Sequence, residues 1–194
     1  IAGISRLDTR SWWKLTAPDQ PAIENATTAF VDREGRIWFG SDGLGVIVID
    51  GDVIRLVSAE SGGIPENMVR SILVDGNDYV WIGTARQGIV RARVADVLNA
   101  DEGHSPAWQS IDGETLGSNV LRASLAASDG TLWFGTYNGV HRFTPAANGM
   151  HGQWTSFTVQ NGLADNIVSQ NAMAEDRDGA IWVGTSTAVN RLSP

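Results

Sequence analysis

Short apolar runs closed by polar turns recur along the chain. One run returns four times: Ile37-Trp38-Phe39-Gly40-Ser41, Val80-Trp81-Ile82-Gly83-Thr84, Leu132-Trp133-Phe134-Gly135-Thr136 and Ile181-Trp182-Val183-Gly184-Thr185. Its tryptophans stand 43, 52 and 49 residues apart, a period that marks small sheets repeated as the blades of a β-propeller. An apolar stretch precedes each phrase, over residues 27–32, 69–75, 121–127 and 169–175. Between stretch and phrase lie Arg33-Glu34-Gly35, Gly76-Asn77-Asp78, Ser128-Asp129-Gly130 and Arg177-Asp178-Gly179. Gly and Asn tolerate the positive φ of tight hairpins, so stretch and phrase are predicted to pair as strands A and B of a blade. β-Branched and aromatic residues alternate with small ones in strand B, as a half-buried pleated strand requires.

A third run is predicted as strand C: Gly45-Val46-Ile47-Val48, Gly88-Ile89-Val90-Arg91, Gly139-Val140-His141-Arg142 and Ala188-Val189-Asn190-Arg191. A more divergent fourth run is predicted as the outer strand D, at Val53-Ile54-Arg55-Leu56, Trp108-Gln109-Ser110-Ile111 and Trp154-Thr155-Ser156-Phe157. Gly3-Ile4-Ser5-Arg6-Leu7 reads as a further strand C and Trp12-Trp13-Lys14-Leu15 as a further strand D, so the chain opens in mid-blade. The expectation is an all-β propeller of four-stranded antiparallel blades forming a single region, 1–194. It comprises the end of a preceding blade (1–16), three blades (25–57, 67–111 and 119–159) and an incomplete last blade (166–194). Seventeen strands are predicted, one more than four closed blades hold. Either one strand C is displaced, or both ends are incomplete blades of a longer arc. The longer arc is favoured, because unpaired sheet edges invite association and propellers are built to remove them.

Composition narrows the classes. The 14 basic against 22 acidic residues, net charge −8, disfavour nucleic acid, whose binding draws on clustered Lys and Arg. The longest apolar run, about Val46 to Ile49, is far short of the roughly 20 residues of a spanning helix, so no membrane insertion by this segment is expected. The absence of Cys rules out disulfides, thiol nucleophiles and Cys-ligated metal. No initiator Met opens the chain, which therefore reads as cut from something longer.

The candidate chemistry carries a bland reading beside each sharp one. The repeated Trp could stack sugars or bases, but a large aromatic at one place in every blade is what fills the space between sheets, so Trp38, Trp81, Trp133 and Trp182 are expected in the core. The turn acids Asp32, Glu34, Asp75, Asp78, Asp129, Asp176 and Asp178 sit too few per hairpin for calcium. They also share a turn rather than converging across a cleft as glycosidase acids do, so turn chemistry is expected of them. His104, His141 and His151 show no ligand spacing, and no Ser lies in a Gly-x-Ser-x-Gly setting. No catalytic residue, metal site or cofactor is expected. Arg6, Arg91, Arg142 and Arg191 of strand C could form an anion-binding ring, or each could lie over an aromatic or pair with a turn acid.

The unit Asn67…Ile72-Leu73-Val74-Asp75…Val80-Trp81-Ile82-Gly83-Thr84…Gly88-Ile89…Arg91 resembles the two-component regulator propeller repeat. Asn161-Gly162-Leu163-Ala164-Asp165-Asn166 is similar to that family's linker between blades. The resemblance implies a propeller in the sensor part of membrane-bound signalling proteins, on the periplasmic or extracellular side, where some members respond to oligosaccharides. The streptogramin-inactivating propeller lyases, whose repeats also carry Leu-Trp-Phe, are the nearest enzymatic resemblance; it implies a metal held by clustered His and Glu, which the spacing here lacks.

Because strands alternate in direction, B-to-C loops and D-to-A linkers emerge on one face and A-to-B turns on the other. The candidate ligand-binding residues on the first face are Asp42, Arg86, Gln87, Tyr137 and Asn138 in loops, with Asn67, Asn119 and Asn166 in linkers. Amides, an Arg and a Tyr suit a hydroxyl-rich ligand held by loops on a rigid scaffold. The expected function is non-catalytic sensing of a small molecule or oligosaccharide. The alternatives are a scaffold that assembles through blade edges, with a second copy or the remainder of a longer chain, and a metal-dependent lyase or hydrolase.

Overall fold

A computed structural model describes residues 25–100, 105–111, 113–146 and 151–193, and the backbone of two strands nearer the N-terminus. His104 and the side chains of Arg6, Trp12 and Trp13 lie outside the described residues. Strands β1 (Ser5–Leu7) and β2 (Trp12–Lys14) pair antiparallel with Arg6 opposite Trp13, as a C–D hairpin should. The first blade is β3 (Ala26–Val31), β4 (Ile37–Ser41), β5 (Val46–Asp50) and β6 (Val53–Val57). The second is β7 (Val69–Val74), β8 (Tyr79–Thr84), β9 (Ile89–Arg93) and β10 (Gln109–Ile111). The third is β11 (Leu121–Ala126), β12 (Leu132–Thr136), β13 (Gly139–Pro145) and β14 (Gly152–Phe157). A three-stranded sheet follows: β15 (Val168–Glu175), β16 (Ile181–Thr185) and β17 (Val189–Leu192). Each sheet meanders antiparallel in chain order. The innermost strands stack β3 on β7, β7 on β11 and β11 on β15, and no comparable packing joins β15 to β3 among the described residues. The chain is thus an open, partial propeller.

The repeated phrase can be followed atom by atom. The Trp points toward the next blade, and its indole N–H donates to the turn acid: Trp38 to Asp32 Oδ2 (2.8 Å), Trp81 to Asp75 Oδ2 (2.8 Å) and Trp182 to Asp176 Oδ2 (2.7 Å). In the third blade Ala127 replaces the acid, and Thr131 Oγ1 accepts from Trp133 instead (2.9 Å). The other oxygen of each acid accepts two N–H groups of its own turn, as Asp75 Oδ1 does from Asn77 and Tyr79. Burial opposes the charge on Asp32, yet the Trp38 indole and Arg36 outweigh it and hold the carboxyl below the usual carboxylate range. The turn carboxylates therefore do turn chemistry, and Asp78 supplies in the second blade the positive φ that Gly35, Gly130 and Gly179 supply elsewhere.

The residue after Trp faces the preceding blade. Phe134, for example, packs with Trp81 at 5.6 Å between ring centroids. The Gly is there for close approach: a Cβ on Gly40 would lie 2.5 Å from Val69 Cγ1, on Gly83 2.7 Å from Leu121 Cγ, and on Gly135 2.5 Å from Val168 Cγ1. Each of those partners opens the next blade. The final hydroxyl closes the B–C hairpin; Thr84 Oγ1 donates to Gly88 O (3.0 Å) and accepts from Gln87 N–H (2.9 Å).

Three apolar clusters follow, one per blade interface. Trp38, Ile72 and Ile82 share the first, Trp81, Leu121 and Phe134 the second, and Trp133, Val168 and Val183 the third. Trp182 corrects the expectation of a core residue: no described strand stacks on its face, and it is 38% exposed. Two short helices and a 3-10 turn were not anticipated. In α1 (Val94–Leu98), Val94 and Val97 are buried in the first interface, so the insertion before β10 folds back onto the core. The others are α2 (Gly113–Leu116) and the turn Val159–Asn161.

Candidate ligand-binding face

The strand C arginines adopt the bland arrangement. Arg91 Cζ lies 4.7 Å from the Trp81 ring centroid, Arg142 Cζ 5.6 Å from Trp133, and Arg191 Cζ 5.6 Å from Trp182. Arg191 Nε also stands 3.5 Å from Asp176 Oδ2. Stacked along the sheet, they do not form an anion-binding ring. His141 is buried, with Nε2 3.2 Å from Thr136 Oγ1 and Nδ1 2.9 Å from Ser156 Oγ. Burial pushes its pKa down to about 4, which makes it a neutral, packed imidazole at physiological pH. Among the described residues, no three His, Asp or Glu side chains are grouped to hold a metal ion.

On the loop face the linker asparagines carry a repeated backbone task. The carbonyls of Asn67, Asn119 and Asn166 accept the N–H of Gly45, Gly88 and Gly139, the residues that open or immediately precede strand C of the preceding blade, at 3.1, 2.9 and 2.7 Å. Two of their side chains are engaged as well. Asn67 Oδ1 accepts from Ala59 N–H (2.7 Å), its Nδ2 donates to Glu60, and the resulting hydrogen bond holds the Glu60 carboxyl below its usual range. Asn166 Oδ1 accepts from Val159 N–H (2.8 Å). Asn138 N–H donates to Thr136 Oγ1 (2.9 Å), with its side chain against Gly117. Gln87 Nε2 reaches Pro65 O (3.3 Å).

The remaining candidates gather into two groups on neighbouring blades. In the first, Asp42 bridges backbone to Met68 and its Oδ2 lies 3.4 Å from Arg70 Nη1. Arg86 Nε donates to Glu66 Oε1 (2.9 Å) and its Nη2 to Met68 Sδ (3.1 Å); its side chain is 72% exposed over a buried Glu66. In the second, Arg122 Nη1 donates to Tyr137 Oη (2.9 Å), the guanidinium lies 4.8 Å from the Tyr137 ring centroid, and Nε donates to Val168 O (3.0 Å). Tyr137 is half-exposed.

Arg70 and Arg122, which sequence reasoning missed, join the candidate face through these contacts. Each is the second residue of an innermost strand, and each sits where the register slips, between Val69 and Ser71 and between Leu121 and Ala123. A bulge adds one residue and re-aims its side chain, here onto the face of the B-to-C loops. In the first blade the same slip places Thr27, whose Oγ1 donates to Val69 O (2.7 Å). An arginine in an otherwise apolar inner strand was the available signal.

Three segments of the chain, residues 63–86, 115–138 and 162–187, match the family model of the two component regulator propeller, each running from a linker through strands A and B to the following loop. No curated protein matches the sequence. Among solved structures, the extracellular domain assigned to the hybrid two component system BT3049 from B. thetaiotaomicron is similar over 98% of this chain and 24% of its own length, at 23% identity and a TM-score of 0.78. PorZ, a surface component of the type-IX secretion system of Porphyromonas gingivalis, is similar over 98% of this chain and 30% of its own, at 14% identity and 0.67. Virginiamycin B lyase from Staphylococcus aureus is similar over 87% and 52%, at 13% identity and 0.59. The molecule is an open, partial β-propeller, and three of its repeats match the model of the two component regulator propeller. It spans about a quarter of the length of the BT3049 domain, and likenesses at these identities speak to fold.

Proposed function

We propose that this chain is part of the extracytoplasmic sensing portion of a two-component regulator, a non-catalytic propeller that binds a hydroxyl-rich ligand, an oligosaccharide, on its loop face. Its repeats and the extracellular setting of the BT3049 domain support the sensor reading. No described helix is long and apolar enough to cross a membrane. The observation that carries the site is the convergence of Arg70 with Asp42 and of Arg122 with Tyr137 through bulges in adjacent inner strands. Aromatic faces and charged hydrogen-bonding side chains on a rigid frame are what a sugar ring and its hydroxyls require.

The test is a panel of neutral and uronic-acid oligosaccharides screened by calorimetry against the chain. Tyr137→Ala, and Arg86→Gln combined with Glu66→Gln so that no buried carboxylate is left unpaired, should abolish any binding found while leaving the melting temperature nearly unchanged. Unaltered affinity in both variants overturns the site assignment.

A second reading, assembly with another copy through blade edges, is favoured by the exposed Val31 of the first sheet and the exposed Trp182, Val189 and Leu192 of the last. Light scattering decides it: a dimer that Trp182→Ser dissolves supports assembly, and a monomer of the wild-type chain excludes it.

A further inference from the structure

The face opposite the loops holds a cavity of about 390 Å³ at the A-to-B turns. Its wall is apolar, formed by Phe30, Val31, Val74 and Ala126 at the ends of the inner strands β3, β7 and β11, and its rim carries Arg33 and Gly76. Arg33 is exposed and forms no ion pair among the described residues. Its guanidinium lies across Gly76, so that a Cβ added there would stand 3.1 Å from Nη2. The Gly76 N–H donates to no group among the described residues.

The molecule shows what such a turn amide donates to. In the third blade Ser128 holds the place of Gly76, and Glu175 of the neighbouring inner strand β15 sets its carboxylate on it: Oε2 accepts the Ser128 N–H at 2.8 Å and Oε1 the hydroxyl at 2.5 Å. At the end of inner strands β7 and β11 the residue in the place of Glu175 is Val74 or Ala126. The first two turns thus meet an apolar wall where the third meets a carboxylate. Asp32 and Asp75, which also line the cavity, are turned inward to Trp indoles and turn amides, and Arg33 is the cationic side chain of its lining.

We infer that this rim is a second binding site, for a small carboxylate with an apolar body, whose charge is held between the Arg33 guanidinium and the Gly76 N–H. A carboxylate bridging a guanidinium and a backbone amide forms charge-assisted hydrogen bonds of the stronger kind, and the volume falls in the range of small-molecule pockets. The site lies on the opposite face from the sensing surface and stands independently of it.

The probe is phenylacetate, with phenylacetamide as its uncharged isostere, titrated into the chain while the backbone amide resonances are followed by NMR. Phenylacetate should shift the Gly76 amide saturably and phenylacetamide should not. Arg33→Gln should weaken binding about tenfold or more. Gly76→Ala, at a φ outside the left-handed region, fills the cradle and should do the same. Tyr137→Ala should leave the affinity unchanged. An unmoved Gly76 resonance, an equal response to phenylacetamide, or full affinity in Arg33→Gln overturns the proposal.

Discussion

Trp81 and Trp182 hold the same place in the same phrase, and each donates its indole N–H to the acid six residues earlier at nearly the same distance, 2.8 and 2.7 Å. One is 1% exposed and the other 38%. Trp81 is enclosed by Phe134, Phe143 and Trp154 of the following blade, with centroids at 5.6, 4.9 and 6.3 Å, whereas Trp182 has over it Arg191 of its own sheet and no described ring of another blade. The second and fourth blades thus separate two contributions that the sequence writes identically. The hairpin and its hydrogen bonds are local and form in both, but burial belongs to the interface and comes from the neighbour.

The largest test of this division is truncation of the two tryptophans. Trp81→Ala should lower the unfolding free energy by about 3–5 kcal/mol in urea titrations, as large-to-small changes in a packed core do, and Trp182→Ala by about 1 kcal/mol. Equal losses would mean that the indole–acid hydrogen bond, not the neighbour, carries the energy.

His141 and Asn190 form the next pair, since both face the residue after Trp across the B–C ladder, opposite Phe134 and Val183. The buried imidazole resists protonation down to about pH 4. Above its ordinary value near 6.5 both folded and unfolded forms are neutral, and the folded state loses nothing. Between about 6.5 and 4 only the unfolded state takes the proton, so stability should fall across that window by about 3 kcal/mol in all. His141→Asn, which installs the fourth-blade residue, should remove that slope from the pH–stability curve. A slope unchanged in the variant would assign it to other groups.

The smallest contrast is between the glycines. A Cβ on Gly83 runs into Leu121 of the next blade, so Gly83→Ala should cost about 1–3 kcal/mol by overpacking. A Cβ on Gly184 would stand 2.9 Å from Ala172 Cβ of its own sheet, with no described atom of another blade near it, and Gly184→Ala should cost about 1 kcal/mol or less, read from the same urea titrations.

The strands were legible because each rests on local pattern. The alternation Ile37 to Ser41 and the turn at Asp32 to Gly35 signal a hairpin whatever surrounds them. The face on which Asp42, Arg86 and Tyr137 emerge also followed from strand direction alone. Arg70 and Arg122 did not, because a register slip decides which way a side chain points, and in the sequence the slip is only one residue more in an apolar run. The linker asparagines looked like free amides, yet their carbonyls serve the preceding blade and two of their side chains close turns. Helix α1 escaped notice because five residues carry too little periodicity to register.

By itself the sequence determined the blade: four copies of one hairpin, each with its indole, its acid or hydroxyl acceptor, its close-packed glycine and its turn-closing hydroxyl, all within about twenty residues of one another. Tertiary structure decided what each copy is worth. A residue such as Trp182 or Gly184 has the same local partners as its counterparts, and only the presence or absence of a stacked neighbour settles whether it is core, close contact or exposed surface. Hydrogen-bond geometry within a hairpin is set over a few residues, while burial is set by what arrives from some fifty residues away.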